Sequence, residues 1–155
     1  MANKKTVTAV LFLLFGSLLA PAVASFIPES SNCVNVRIDY GSLKGGIIEK
    51  CVEVNGTDTA LNILKLADIE LAGTNKYGLA VVCRVNGLPD ASRESCAEMP
   101  PENAFWAFIY KNKVSATNLF PKWGWAQKGV SEVYFNPGDS FGLVFSENGN
   151  LKWPD

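Results

Sequence analysis

The sequence predicts an α+β domain: a mixed sheet of four to five strands with one packed helix. Three observations predict it. Residues 34–40 alternate apolar and polar side chains, the period of a half-buried strand. Residues 60–71 instead repeat apolar side chains three and four apart, the period of an amphipathic helix. Beyond them come short runs rich in β-branched and aromatic residues, separated by Gly, Pro and Asn turn signals.

Each element can be justified in order. Val34, Val36, Ile38 and Tyr40 point one way, and Asn35, Arg37 and Asp39 the other. The stretch Gly41-Ser42-Leu43-Lys44-Gly45-Gly46 is a turn, and 47–54 is a second strand that completes a hairpin. Gly56-Thr57-Asp58 opens the helix. Thr57 or Asp58 is expected to accept from the free N–H groups of the first turn, and Asp58 also suits the positive end of the dipole. The apolar stripe is Ala60, Leu61, Leu64, Ala67 and Leu71, with Ile63 at its edge. Asn62, Lys65 and Asp68 lie opposite, and Gly73 is expected to stop the segment.

Residues 79–85 form a continuous apolar run around Cys83 and are expected as a central strand. Asn86-Gly87 is a turn signal, and Pro89 denies a long following strand. Residues 87–103 read as a loop that ends in the stiff Pro100-Pro101. An aromatic-rich strand follows at 104–110, then a second long loop at 111–131 that holds Trp123-Gly124-Trp125. A short strand at 133–135, the turn Asn136-Pro137-Gly138-Asp139 and a last strand at 141–145 complete the chain. One helix crossing a mixed sheet in this order is the β-grasp arrangement. There is no internal repeat and no low-complexity tract.

The N-terminus reads as an export leader. Lys4 and Lys5 precede an apolar run from Val7 to Leu19, and Pro21 and Ala22-Val23-Ala24 follow. The run is shorter than the roughly 20 residues a spanning helix needs. Cleavage after Ala24 is expected, which leaves a loose arm over 25–32 and a single domain over 33–155. Ser30-Ser31-Asn32 before Cys33 does not suit a lipid-attachment box, so no stable membrane anchor is expected after cleavage. The mature chain carries 12 basic against 15 acidic residues and no basic block. A nucleic-acid footprint is therefore missing.

All four cysteines, Cys33, Cys51, Cys83 and Cys96, lie downstream of the leader. An even count in an exported chain implies two disulfides. Three connectivities are open. The pairing Cys33–Cys51 with Cys83–Cys96 is favoured because each pair flanks a local strand–loop unit. A metal site is disfavoured, because there is no Cys-x-x-Cys and no histidine.

Several stretches taken together resemble the transcobalamin C-terminal-like domain, most of all its stand-alone secreted bacterial form. They are Gly56-Thr57-Asp58-Thr59-Ala60-Leu61-Asn62-Ile63-Leu64, Val82-Cys83-Arg84-Val85-Asn86-Gly87, Pro100-Pro101-Glu102-Asn103-Ala104-Phe105-Trp106, Gly129-Val130-Ser131 and Pro137-Gly138-Asp139. Their order and spacing span nearly the whole mature chain. The resemblance implies a β-grasp fold and, for some members, cobalamin binding. In the vitamin carriers that binding is shared with a large helical domain, for which this chain has no room. A cobalamin-type ligand is thus implied by resemblance only, and no cofactor is expected from the residues themselves.

The residue inventory points to recognition rather than catalysis. Without histidine, Ser-His-Asp and Cys-His mechanisms are excluded. Bridged cysteines cannot act as nucleophiles. Glu132, Asp139 and Glu147 are the carboxylates that could serve a hydrolase, but Asp139 belongs to a turn where its side chain is expected to bond backbone amides. Asn55-Gly56-Thr57 is a glycosylation sequon, which helix capping by Thr57 also explains.

Aromatic residues are the better lead, and the ligand-binding candidates are Trp106, Tyr110, Trp123 and Trp125. Trp106, Phe108 and Tyr110 share one strand face, and Phe105 and Ile109 the other. With both faces covered, these are core. Trp123 and Trp125 either stack on a ligand from their loop or fold back to cap the sheet. The expected function is a secreted, non-catalytic binding module for a small molecule, a glycan or an envelope partner. A structural or protein-interaction domain without a small ligand is the alternative, ahead of an uncharacterised hydrolase.

Overall fold

A computed structural model describes residues 32–113 and 119–155. The expected leader (1–24) and the arm over 25–31 lie outside the described residues. The described chain is mixed α+β, mostly sheet with one short helix. In order, the elements are β1 (Cys33–Asp39), β2 (Ile47–Glu53), β3 (Asp58–Thr59), α1 (Ala60–Leu66), β4 (Leu71–Thr74) and β5 (Gly78–Val85). Then come β6 (Ala104–Lys111), β7 (Trp123–Trp125), β8 (Tyr134–Phe135) and β9 (Ser140–Glu147).

Five strands make the main sheet in the order β2-β1-β9-β6-β7. The expected hairpin is there, with Ile38 opposite Ile48 and Val34 opposite Val52. β9 returns to lie parallel to β1, while β6 runs antiparallel to β9 and β7 antiparallel to β6. The parallel pair is close enough that a Cβ on Gly142 would sit 2.6 Å from the Arg37 carbonyl oxygen. Two short ribbons, β3–β8 and β4–β5, stand apart from this sheet.

The pleat gives the sheet two faces. On the front, Val34, Val36 and Ile38 of β1 and Phe141, Leu143 and Phe145 of β9 meet Ala60, Ile63 and Leu64 of α1, all buried in one core. Burying side chains of this size contributes roughly 1.5–3 kcal/mol each. The back face carries a smaller cluster, Ala107, Ile109 and Val144. Phe105, Trp123 and Leu151 pack around it, the last from the segment after β9.

Helix α1 starts and stops differently from expectation. Its cap is Thr59, whose hydroxyl accepts from Asn62 N–H (3.2 Å). Asp58 accepts from Thr59 N–H (2.7 Å), and Thr57 hydrogen-bonds Asn136 instead. The first two helix amides donate to loop carbonyls: Ala60 N–H to Val133 and Leu61 N–H to Val130, both at 2.9 Å. Three orphan donors of the first turn are thus satisfied.

The helix ends at Leu66, seven residues before Gly73. Asp68 takes a left-handed conformation (φ 55°). Its N–H donates to Lys65 C=O and that of Ile69 donates to Leu64 C=O, each at 3.0 Å. This is a Schellman closure with Asp where Gly is usual. The missing glycine is why the apolar stripe reads on to Leu71, which in fact begins β4. Asp68→Gly is expected to raise stability by about 0.5–1 kcal/mol by relieving a left-handed Asp. Urea unfolding would register this as a higher midpoint with an unchanged slope.

Residues 79–85 do form a strand, but not a central one. β5 pairs only with β4, Leu71 opposite Val85 and Ala72 opposite Arg84. Its apolar run owes its length to two separate demands. Val82, Cys83 and Val85 are buried, while Leu79 packs half-buried on the edge of the core. A continuous apolar run cannot distinguish that from a strand covered on both faces.

Cys33 is joined to Cys51 and Cys83 to Cys96, with Cα separations of 5.4 and 5.6 Å. The favoured connectivity is the one found. Two bridges accord with an oxidising compartment. Among the described residues, no helix is long and apolar enough to cross a membrane.

Candidate functional site

The four candidate aromatics do not converge on one point. Trp106 faces the front core and is 7 % exposed. Tyr40 and Phe145 pack edge-on against its ring, both at 5.4 Å between centroids, and its indole N–H donates to Leu88 C=O at 3.0 Å. Tyr110, half-buried on the same face, packs against Phe135. Trp123 and Trp125 belong to the back face. Contrary to the loop expectation, they form strand β7, with Trp125 opposite Ile109 and Trp123 opposite Lys111. Two tryptophans spaced by one glycine present their rings on one face once the backbone is extended.

Trp123 and Trp125 then differ in surroundings. Trp123 is half-buried beneath the Lys111 ammonium (5.9 Å) and lines a second cavity, of about 510 Å³, with Asn35, Arg37 and Ser140. Trp125 is 44 % exposed, between Phe105 (6.0 Å) and Trp153 (5.8 Å). It is the one candidate of the four with a large open aromatic surface.

Trp125 also marks the rim of a groove of about 660 Å³ that runs alongside the first half of β6. Phe105, Trp106 and Phe108 form one wall, and β5, through Ala80, Val81 and Val82, faces them. Met99, Pro100 and residues 126–130 complete the lining. The volume lies within the roughly 300–1,000 Å³ typical of small-ligand sites. Of the sequence candidates, Trp106 and Trp125 line this groove, whereas Tyr110 and Trp123 do not. Phe105, Val82, Met99 and the 126–130 segment were not nominated from sequence. They come from separate elements, and only the tertiary fold sets them together.

Two devices hold the groove walls. The first is the Cys83–Cys96 bridge, which ties the loop carrying Met99 and Pro100 to β5. That loop also contains the turn at Asp90, whose carboxylate accepts from the Ser92 hydroxyl and from the Ser92 amide at 2.8 Å. The Ser92 hydroxyl bond, then its amide, holds the Asp90 carboxyl below its ordinary value. The second is Gly129. A Cβ there would lie 2.6 Å from Ala80 Cα, so only glycine lets this segment lie against β5. Val130, next in sequence, is fully buried, and its carbonyl receives the Leu61 amide.

The carboxylates considered for hydrolysis stand apart. Glu132 is exposed at the groove rim. Asp139 accepts from the Asn136 amide (2.8 Å) and pairs with Lys113 (3.0 Å), closing its turn as expected. Glu147 pairs with Arg93 at 2.8 Å. Among the described residues, no three His, Cys, Asp or Glu side chains group as metal ligands would.

No protein family, curated protein or solved structure matches the chain.

Proposed function

We propose that this chain is an exported, non-catalytic binding module of the β-grasp type, and that its ligand lies in the groove beside β6. The observation that carries the reading is the open aromatic surface of Trp125 at the rim of a groove walled by Phe105, Trp106 and Phe108. Large, rigid aromatic side chains gather contact area at low entropic cost, and recognition sites favour them. Export is supported by the leader-like pattern of residues 1–24 and by the two bridges downstream of it.

The β-grasp assignment is supported by the strand order. A hairpin, then a helix, and a final strand parallel to the first at the centre of the sheet are features consistent with that arrangement. The transcobalamin C-terminal-like resemblance points the same way and makes cobalamin one ligand to try. Non-catalytic binding is supported by the absence of histidine from the sequence, by bridged cysteines and by carboxylates that each close a turn or an ion pair or lie exposed.

A thermal-shift screen tests the reading with cyanocobalamin, soluble oligosaccharides and short peptides as probes. A ligand present at a hundred times its Kd adds about 2.7 kcal/mol of stability, a rise in Tm of several degrees. Trp125→Ala is expected to weaken such a ligand at least tenfold, in line with an exposed aromatic anchor. Trp123→Ala, outside the groove, is expected to leave affinity within threefold. If no probe raises Tm, or if Trp125→Ala binds as well as the parent, the groove is not the site.

A further inference from the structure

We infer that the ligand of this groove is an extended peptide segment, added to the free edge of β6 as one more strand; this rests on the groove being the binding site. The inference comes from backbone pairing. Odd-numbered residues of β6 bond to β9. Asn148 N–H donates to Asn103 C=O at 2.6 Å, in the register that sets Ile109 opposite Gly142 and Ala107 opposite Val144. Backbone groups alternate in direction along an antiparallel strand, so the even-numbered residues face the other edge. There β7 takes them up, with Tyr110 opposite Gly124, and Ala126 N–H donates to Phe108 C=O at 2.9 Å.

Carried one step further, that register would set Trp106 opposite Lys128. The chain has turned away by then, because Gly129 lies against Ala80 of β5 and Val130 is buried beneath the helix start. The ladder therefore stops one pair short. Among the described residues, no backbone group pairs with the N–H and C=O of Trp106 or with the N–H of Phe108. Ala104 N–H is closed locally on Pro101 C=O at 3.0 Å. Trp106 and Phe108, which carry the unpaired groups, both line the groove.

A row of alternating donors and acceptors at strand spacing matches another extended backbone. A sugar or a flat ring system can stack on Trp125 but does not repeat N–H and C=O at that interval. Side chains of the added strand would fall alternately beside Phe105 and Trp125 on the back and beside Val82 and Phe108 on the front. Both sets are apolar. The charges at the rim, Glu102, Lys128 and Glu132, have mixed signs. The preferred segment is therefore aliphatic or aromatic at successive positions, without selection for net charge.

Two measurements on the oxidised exported chain test this. In native-state amide exchange, Trp106 and Phe108 are expected to exchange at least tenfold faster than Phe105, Ala107 and Ile109. Equal protection at all five would mean the edge is already closed, which overturns the inference. The second uses a library of acetylated, amidated hexapeptides carrying Val, Ile, Phe or Tyr at each position. Selected peptides are expected to slow exchange at Trp106 and Phe108. They should lose at least tenfold in affinity when the residue facing Trp106 is N-methylated. Undiminished binding of N-methylated peptides, or enrichment equal to that on Trp125→Ala, rejects strand addition. If peptides fail while a thermal-shift probe binds in a Trp125-dependent way, strand addition fails and the groove reading stands. If neither binds, both fall. Concentration-dependent protection of the same two amides without peptide would assign the edge to a second copy of the chain and overturn the inference.

Discussion

Phe141→Ala is expected to remove about 3–5 kcal/mol of stability, the range for truncating a buried aromatic without collapse of the site. Phe141 has no exposed surface. Its ring stacks on Phe135 at 4.5 Å and meets Phe108 edge-on at 5.9 Å. In the backbone it stands between Val36 of β1 and Tyr110 of β6. The cavity would thus open where the hairpin, the return strand and the aromatic strand join. Phe135 would lose its stacking partner, and with it β8, which pairs with β3 at the start of the helix. Neighbours tied to hydrogen-bonded strands on both sides cannot move in to fill the space, so the upper part of the range applies. Urea unfolding checks the figure, with Phe141→Leu as a smaller truncation expected to cost markedly less. A loss below about 1 kcal/mol for the alanine variant, at unchanged slope, would contradict this packing.

Much of this fold was legible in the sequence, and the reasons are specific. Alternation in 34–40 gives β1 because one of its faces is buried against a helix while the other stays partly wet. The hairpin to β2 follows from the glycines between the two strands. Both disulfides follow from the neighbourhood of the cysteines in strand–loop units. What was not legible depends on partners distant in sequence. β4 hid in the tail of the helical stripe because Asp68, not a glycine, makes the left-handed stop. β5 looked central because its apolar side chains serve the core and the groove at once. Trp123-Gly124-Trp125 carried no strand signal of its own. Its extended form comes from pairing with Lys111, Tyr110 and Ile109, which a reading of local propensity cannot supply.

The candidate site divides in the same way. Aromatic content nominated four residues as ligand-binding candidates, of which Trp106 and Trp125 line the groove, but it could not assign these two to opposite faces of the sheet. Tyr110 and Trp123 carried the same signal and lie elsewhere. Gly129 held a further clue. A glycine with a negative or extended φ has no conformational reason to be there, so the reason must be close approach, and here the approach is to Ala80. That contact takes the chain off β6 and leaves the edge open. The same residue that defines the groove wall therefore ends the β-ladder, a link that no local pattern encodes.

Removing the two bridges one at a time is expected to separate stability from site integrity. Each closes a short loop, 18 residues for Cys33–Cys51 and 13 for Cys83–Cys96. Loop entropy alone makes them nearly equal, about 3 kcal/mol each, or a fall in Tm of roughly 10 °C. Their structural settings are not equal. Cys33 and Cys51 lie on β1 and β2, which are hydrogen-bonded along their whole length whether or not the sulfurs are joined. Cys96 lies in irregular chain tied otherwise by single contacts: the Asn75 amide to its carbonyl, its own amide to Glu94, the Arg84 guanidinium to the Glu94 carbonyl, and the ion pairs Arg93–Glu147 and Lys76–Glu98. Cys33→Ala with Cys51→Ala should therefore lower Tm while amide exchange across residues 87–103 stays as in the parent. Cys83→Ala with Cys96→Ala should lower Tm by a similar amount and also speed exchange through 87–103, loosening the Met99–Pro100 part of the groove lining and weakening any ligand held there. Hydrogen exchange read by mass spectrometry on both variants distinguishes the two effects. Equal acceleration in 87–103 for the two variants would mean that the loop is held by the global fold rather than by its own bridge. The stiffness of the groove would then have to come from β5 and Gly129 alone.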